Sequence, residues 1–325
     1  MSGEFDLIRR HFARPTPATL LGPGDDCALL APTPGQTLAI TTDMLVAGVH
    51  FFADTDPGRL GWKTLAVNLS DLAAMGAQPR WATLAGALPE ADDSWLGAFA
   101  DGFFACATRY GVDLVGGDTT RGPLTLSVTA IGELPLGSAL RRDGAHAGDD
   151  LWISGSPGLA ALALAALQGR TALPATLAER CRDALETPTP RIELGLALRT
   201  RQLASAAIDV SDGLLADLGH ILERSHLAGE VELAALPAAP ADIDPALWRD
   251  CLLAGGDDYE LIFAAAPAAR AEIDALAQSL ALPVTRFGRL LPGAETGSGQ
   301  APRLSVRDAN GQPLTLTHRG YDHFA

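Results

Sequence analysis

The chain has 325 residues, 47 % of them hydrophobic and 19 % charged, which is enough apolar mass for two cores and too much for a disordered chain. Its formal charge of −15 excludes binding of nucleic acid or an anionic membrane through the net field. A polyanionic ligand would need its charge cancelled locally, and a divalent cation is the usual means.

In chain order, Phe5, Ile8 and Phe12 at helical spacing predict a short helix over 4–12, followed by the Gly-rich loop LGPGDD. Strand-like runs cover 27–30 and 37–42. Leu60, Leu65, Leu69 and Leu72 mark a long helix over 57–75. A strand over 81–87, a helix over 94–110, a strand over 113–115 running into Gly116-Gly117-Asp118 and a strand over 124–131 complete this half. The Gly-, Arg- and Asp-rich stretch 135–149 lacks periodicity and marks a domain boundary, giving domains 1–136 and 137–325. Beyond it the pattern predicts a strand over 150–154, the turn GSPG, and helices over 159–167, 174–185 and 191–201. A strand over 206–210 then runs into Ser211-Asp212-Gly213, where Ser211 or Asp212 caps a helix over 214–225. A helix over 245–253, a strand over 259–264, a helix over 267–280 and a strand over 283–290 follow, and 292–302 reads as a mobile surface loop. Strands and helices mix in both halves, which predicts two α/β or α+β domains.

The apolar run 159–167 is far short of the roughly 20 residues of a membrane span, and MSGEFDLIRR lacks signal-peptide character. Cys27, Cys106, Cys181 and Cys251 form no Cys-x-x-Cys. Reduced, mostly buried thiols in a cytoplasmic protein are expected.

Aspartates recur beside glycine or just past apolar strands: Asp25-Asp26, Asp43, Asp118, Asp209 and Asp212, and Asp257-Asp258. Asp71 differs, lying in VNLSDLAAMG three residues after Asn68 and on the same helix face. Hard cations such as Mg²⁺ take carboxylate, water and phosphate oxygens, and a strand end is a rigid place to present them. Any one Gly-Asp pair is also ordinary turn chemistry, but five such sites, several abutting strands, favour the ligand reading. Gly58-Arg59-Leu60-Gly61-Trp62-Lys63-Thr64 is no P-loop, for it lacks four residues between the glycines and has Trp before Lys. The GSPG turn either cradles phosphate or simply links strand to helix. His50 is read either as structural or as functional, and Arg141-Arg142 either as phosphate contacts or as a solvated linker.

The segments GDDCALL, TTDMLVAGVHF, VNLSDLAAMGAQPRW, GGDTTRGPL, IDVSDGLLADLGH and GGDDYEL, in this order, resemble the thiamine-monophosphate kinase family, from GEFDLI near the start to GYDHF at the end. VNLSDLAAMGA alone points only to the wider superfamily with aminoimidazole-ribonucleotide synthetase and selenophosphate synthetase. The resemblance implies an N-terminal α/β domain whose sheet forms a barrel-like interface across a homodimer, and a C-terminal α/β domain covering an ATP cleft. It implies ATP and several Mg²⁺ ions, with Asp26, Thr41, Thr42, Asp43, Asp71, Asp118, Asp209 and Asp212 as metal ligands. Tyr110, Gly117, Asp118, Arg142 and Ser211 would contact ATP, and His50, Asp257 and His318 thiamine monophosphate. Asp257 stands where the family usually has Glu, and His318 where it often has Trp. The implied reaction is direct in-line transfer without an acid–base residue, since a phosphate acceptor is largely a dianion near pH 7. Selenophosphate synthetase is disfavoured because no Lys precedes Lys63 and Cys27 lies in a strand-like run. A non-catalytic metal- or nucleotide-binding protein is the rival from another class, and ATP consumption separates the two.

Overall fold

The computed structural model describes residues 4–293, 304–315 and 320–321. It divides into two compact units, Met1–Leu72 with Ala77–Ser138, and Ala73–Gly76 with Ala139–Ala325. Both mix strands and helices, the class expected from the sequence, and among the described residues no helix is long and apolar enough to cross a membrane.

The first unit opens with α1 (Glu4–Leu7), which continues as a π turn over Ile8–Phe12. It is built from β1 (Gln36–Val46), α2 (Pro57–Ala74), β2 (Gln78–Leu88), α3 (Asp93–Tyr110), β3 (Asp113–Arg121) and β4 (Thr125–Pro135). The sheet order is β1-β4-β2-β3. β4 pairs antiparallel with β1 and β2, whereas β2 and β3 are parallel and need α3 as their crossover. Local chemistry sets the helix starts: Asp56 accepts the Arg59 amide (2.9 Å) near the start of α2, and Asp92 accepts the Ser94 and Trp95 amides at the start of α3. Leu60, Leu65, Leu69 and Leu72 of α2 are all at most 1 % exposed. The two helices touch backbone to backbone, since a Cβ on Gly61 would lie 2.0 Å from the Phe99 carbonyl oxygen and one on Gly102 would lie 1.8 Å from that of Gly58. The glycines of the false P-loop therefore serve helix packing.

The second unit contains β5 (Asp150–Ser154), α4 (Leu159–Leu167), α5 (Ala175–Glu186), α6 (Ile192–Thr200), β6 (Ala206–Asp209), α7 (Leu214–Arg224), β7 (Leu227–Glu232), α8 (Pro245–Ala254), β8 (Leu261–Ala265), α9 (Arg270–Ser279), β9 (Val284–Pro292) and β10 (Leu304–Arg307). Its sheet runs β10-β7-β9-β5-β8-β6. Leu151, Ile153, Ile262 and Phe287 share one core cluster with Leu162, Leu218 and Leu252 from α4, α7 and α8. On the same sheet Asp150 of β5 is held by Arg270 and Arg286, and Glu230 of β7 by Arg289 and Arg307.

Several local expectations differ from the structure. Residues 27–30 form no strand, only the single bridge Leu21–Leu29. β7 and β10 were not expected. α7 has Gly213 at its N-cap with no side-chain cap, where Ser211 or Asp212 was expected. Of the expected loop over 292–302, residues 294–302 lie outside the described residues, as does His318.

Candidate metal and phosphate site

Strand alternation decides which β1 side chains can meet α2. Leu38, Ile40, Thr42 and Met44 are exposed along one side, and the intervening Thr41 and Asp43 are half-buried. Thr41 Oγ1 donates to Asp71 Oδ2, and the Asp43 amide donates to Asn68 Oδ1 (3.0 Å). Asn68 and Asp71, read from the sequence as sharing a helix face, thus both engage β1. Burial, and secondarily the Asp71 carboxylate, push the Asp43 carboxyl up to about 7. Thr42 is not brought to this pair, because its hydroxyl meets Thr129 Oγ1 (2.8 Å).

Asp26 and Asp118 lie instead on the wall of a cavity of about 220 Å³, together with Gly117, Cys27 and the apolar Trp95, Phe99 and Leu126. Gly117 is required there, since a Cβ would stand 1.8 Å from the Leu84 carbonyl oxygen. In register, Asp43 faces Val128, Val128 faces Leu84 and Leu84 faces Gly117. Three inter-strand steps of about 4.8 Å thus lie between the backbones of Asp43 and Gly117, roughly 14 Å in all. Accordingly, no three His, Cys, Asp or Glu side chains among the described residues converge as a metal-binding group. Tyr110, at the end of α3, packs edge-on against Trp62 (centroids 6.4 Å), with the Arg109 guanidinium over both rings. His50 Nδ1 accepts the Val46 amide (3.0 Å), which leaves the proton of the neutral ring on Nε2.

In the second unit, buried Asp209 ends β6 and the exposed Ser211 and half-buried Asp212 follow. Their conformation is held by Asp217 of α7, whose Oδ2 accepts the amides of Ser211 (3.0 Å), Asp212 (3.1 Å) and Gly213 (3.1 Å). Burial and the Asp212 charge raise Asp217 to about 7 in spite of those bonds. Sequence reasoning missed Asp217, although a carboxylate in the first turn of a helix was a usable signal. The Asp257 amide donates to the Ser211 carbonyl (2.9 Å), joining the loop that follows Gly255-Gly256 to the loop that follows β6. Gly158 of the GSPG turn donates its amide to the buried Asp258 (2.7 Å), as a strand–turn–helix link would have it. Arg142 lies exposed before β5, its carbonyl accepting from Ser225 Oγ (2.7 Å).

The model for the N-terminal domain of AIR synthase related proteins matches residues 24–134, which hold β1 to β3, nearly all of β4, and Asp26, Asp43, Asp71 and Asp118. A thiamine-monophosphate kinase of Salmonella typhimurium LT2 is 47 % identical over 331 residues, covering 99 % of this chain and 98 % of the relative. The chain belongs to the thiamine-monophosphate kinase family. Two solved structures agree with that membership. The thiamine-monophosphate kinase of Stenotrophomonas maltophilia K279a shares 52 % identity and a TM-score of 0.81, covering 89 % of this chain and 91 % of that one. AaThiL complexed with AMPPCP and TMP shares 27 % identity and a TM-score of 0.76, covering 99 % of this chain and 97 % of that one. In this chain Asp43 and Asp71 lie close enough for the Asp71 charge to raise the Asp43 carboxyl.

Proposed function

We propose that this chain transfers the γ-phosphoryl group of ATP to thiamine monophosphate, giving ADP and thiamine diphosphate. Full-length identity of 47 % to a thiamine-monophosphate kinase carries the reading. The Asp43–Asp71 pair supports it physically: two neighbouring carboxylates with Thr41 and Asn68 offer only oxygen donors, and burial leaves their repulsion poorly screened. Such a pair fits Mg²⁺, which takes one or two carboxylates and completes its shell with water and substrate phosphate. Asp26, Thr41, Thr42, Asp43, Asp71, Asp118, Asp209 and Asp212 are our proposed ligand set. Thr42 would contribute through its backbone, since its side chain is on the other side of the strand. Residues 1–136 are the proposed metal, ATP and dimerisation domain and 137–325 the C-terminal domain, with a barrel-like sheet formed across a homodimer. The free thiols, three of them buried, suit work in the cytoplasm.

The acceptor is a phosphate monoester whose second pKa is about 6, so near pH 7 it attacks as a dianion and no residue has to remove a proton. Bound Mg²⁺ supplies charge neutralisation between the two phosphate groups. The protein's own part is to hold and orient. Ser211, in the loop pinned by Asp217, together with Gly117, Arg142 and Tyr110, positions ATP. His50 presents an Nε2–H suited to a phosphate oxygen, and Asp257 a carboxylate suited to the cationic thiazolium. Incubation with ATP, Mg²⁺ and thiamine monophosphate tests the reading: thiamine diphosphate should accumulate in step with ADP. ADP release without thiamine diphosphate would overturn it.

A further inference from the structure

The loop Gly255-Gly256-Asp257-Asp258-Tyr259-Glu260 divides its side chains into two kinds. Asp258 and Glu260 are buried anchors: Asp258 accepts the Gly158 amide (2.7 Å), and Glu260 takes Arg191 through Nε (2.6 Å) and Nη2 (2.5 Å) and accepts from Ser154 Oγ (2.6 Å). Asp257 and Tyr259 are instead bonded to each other, Tyr259 Oη donating to Asp257 Oδ1 (3.0 Å). Both have left-handed backbones, φ +66° and φ +50°. Asp tolerates that region, whereas a bulky residue such as Tyr rarely enters it. The loop is kept there by backbone ties, from the Asp257 amide to the Ser211 carbonyl (2.9 Å) and from the Tyr259 amide to the Val210 carbonyl (2.8 Å). Since the main chain and the two anchors already hold the loop, the tyrosine hydroxyl is not required for its course. What the unusual backbone at 259 does accomplish is to bring that hydroxyl back to the carboxylate two residues earlier.

We propose that Tyr259 is a positioning residue for substrate selection, its hydroxyl fixing the rotation of the Asp257 carboxylate that receives the thiazolium end of thiamine monophosphate. The proposal rests on the substrate role assigned to Asp257. A carboxylate held in one orientation meets a fixed cation without first losing its rotational freedom, so the contribution appears in substrate binding.

A four-protein cycle tests this with saturating Mg²⁺: the unmodified enzyme, Tyr259→Phe, Asp257→Asn and the double variant. Phe keeps the buried ring, and Asn tolerates the left-handed backbone while removing the charge. Tyr259→Phe should raise KM for thiamine monophosphate about fivefold, the scale of the net contribution of one ordinary hydrogen bond, leaving KM for ATP and the melting temperature unchanged. In the Asp257→Asn background the same change should add nothing. If Asp257→Asn raises KM for thiamine monophosphate and Tyr259→Phe does not, the positioning role is wrong while the substrate role of Asp257 stands. Asp257→Asn without effect on that KM removes the substrate role and this proposal with it. A Tyr259→Phe enzyme with both KM values raised, or with a lowered melting temperature, would assign Tyr259 a structural role and overturn the proposal.

Discussion

Asp43, a proposed Mg²⁺ ligand, is a buried carboxyl whose raised pKa ties the stability of the fold to pH. An unfolded chain titrates this carboxyl near the ordinary 3.8, whereas the folded one titrates it at about 7 because burial and the Asp71 charge disfavour ionisation. Between those values the unfolded chain releases a proton that the folded chain keeps, so raising the pH across this window weakens the metal-free fold. Below both values the contribution is absent, and above both it is complete. In EDTA the melting temperature should therefore fall between pH 5 and pH 7.5, and Asp43→Asn should flatten that fall and melt higher at pH 7.5. Calorimetry of the two proteins side by side measures this. An Asn variant that parallels the parent at every pH would mean that Asp43 is not the strained group. At this scale the sequence made the residue types legible, since an aspartate after an apolar strand and an Asn68–Asp71 helix face are local patterns. It could not show that Thr41 bonds to Asp71, because that contact joins a strand and a helix 30 residues apart. Asp217 left a local signal, a carboxylate in the first turn of a helix, but which three amides its oxygen receives is set only by the folded loop.

Elements with strong periodicity were readable, and those built from short polar stretches were not. α2 announced itself through leucine spacing, and α3 was placed over 94–110. β7 (LAGEVE) and β10 (LSVR) are short, carry charges or glycine, and are strands through backbone pairing with their neighbours, alongside which Arg307 meets Glu230. Conversely, 27–30 had the hydrophobicity of a strand but found only one bridging partner. The α2–α3 contact shows how an element's composition can mislead until packing is known. Replacing an exposed helical glycine with alanine gains about 1 kcal/mol in helix propensity. At Gly102 the added Cβ would stand 1.8 Å from the Gly58 carbonyl oxygen and force the helices apart, a larger penalty. Gly102→Ala should thus lower stability by roughly 1–3 kcal/mol in denaturant unfolding. A neutral or stabilised variant would show that the helices are free to separate.

The largest gap between sequence and molecule concerns assembly. β1 is an edge strand, and one side of it leaves Leu38, Ile40 and Met44 exposed, Ile40 by 63 %. An apolar edge of this kind is an aggregation hazard unless something covers it, and a second copy of the same sheet does so in the proposed homodimer. Light scattering at micromolar concentration should give twice the chain mass, and Ile40→Glu combined with Met44→Glu should give the monomer. A parent protein that is monomeric under these conditions would remove the dimer. Asp43 is the central proposed ligand for the ion that lets two phosphates approach each other. The most direct test is the initial rate of thiamine diphosphate formation against Mg²⁺ concentration for the parent and for Asp43→Asn, both at saturating ATP and thiamine monophosphate. The kcat of Asp43→Asn should fall roughly a hundredfold or more, about 3 kcal/mol of transition-state stabilisation, and added Mg²⁺ should not restore it. Near-normal turnover of Asp43→Asn at saturating Mg²⁺ would contradict that role.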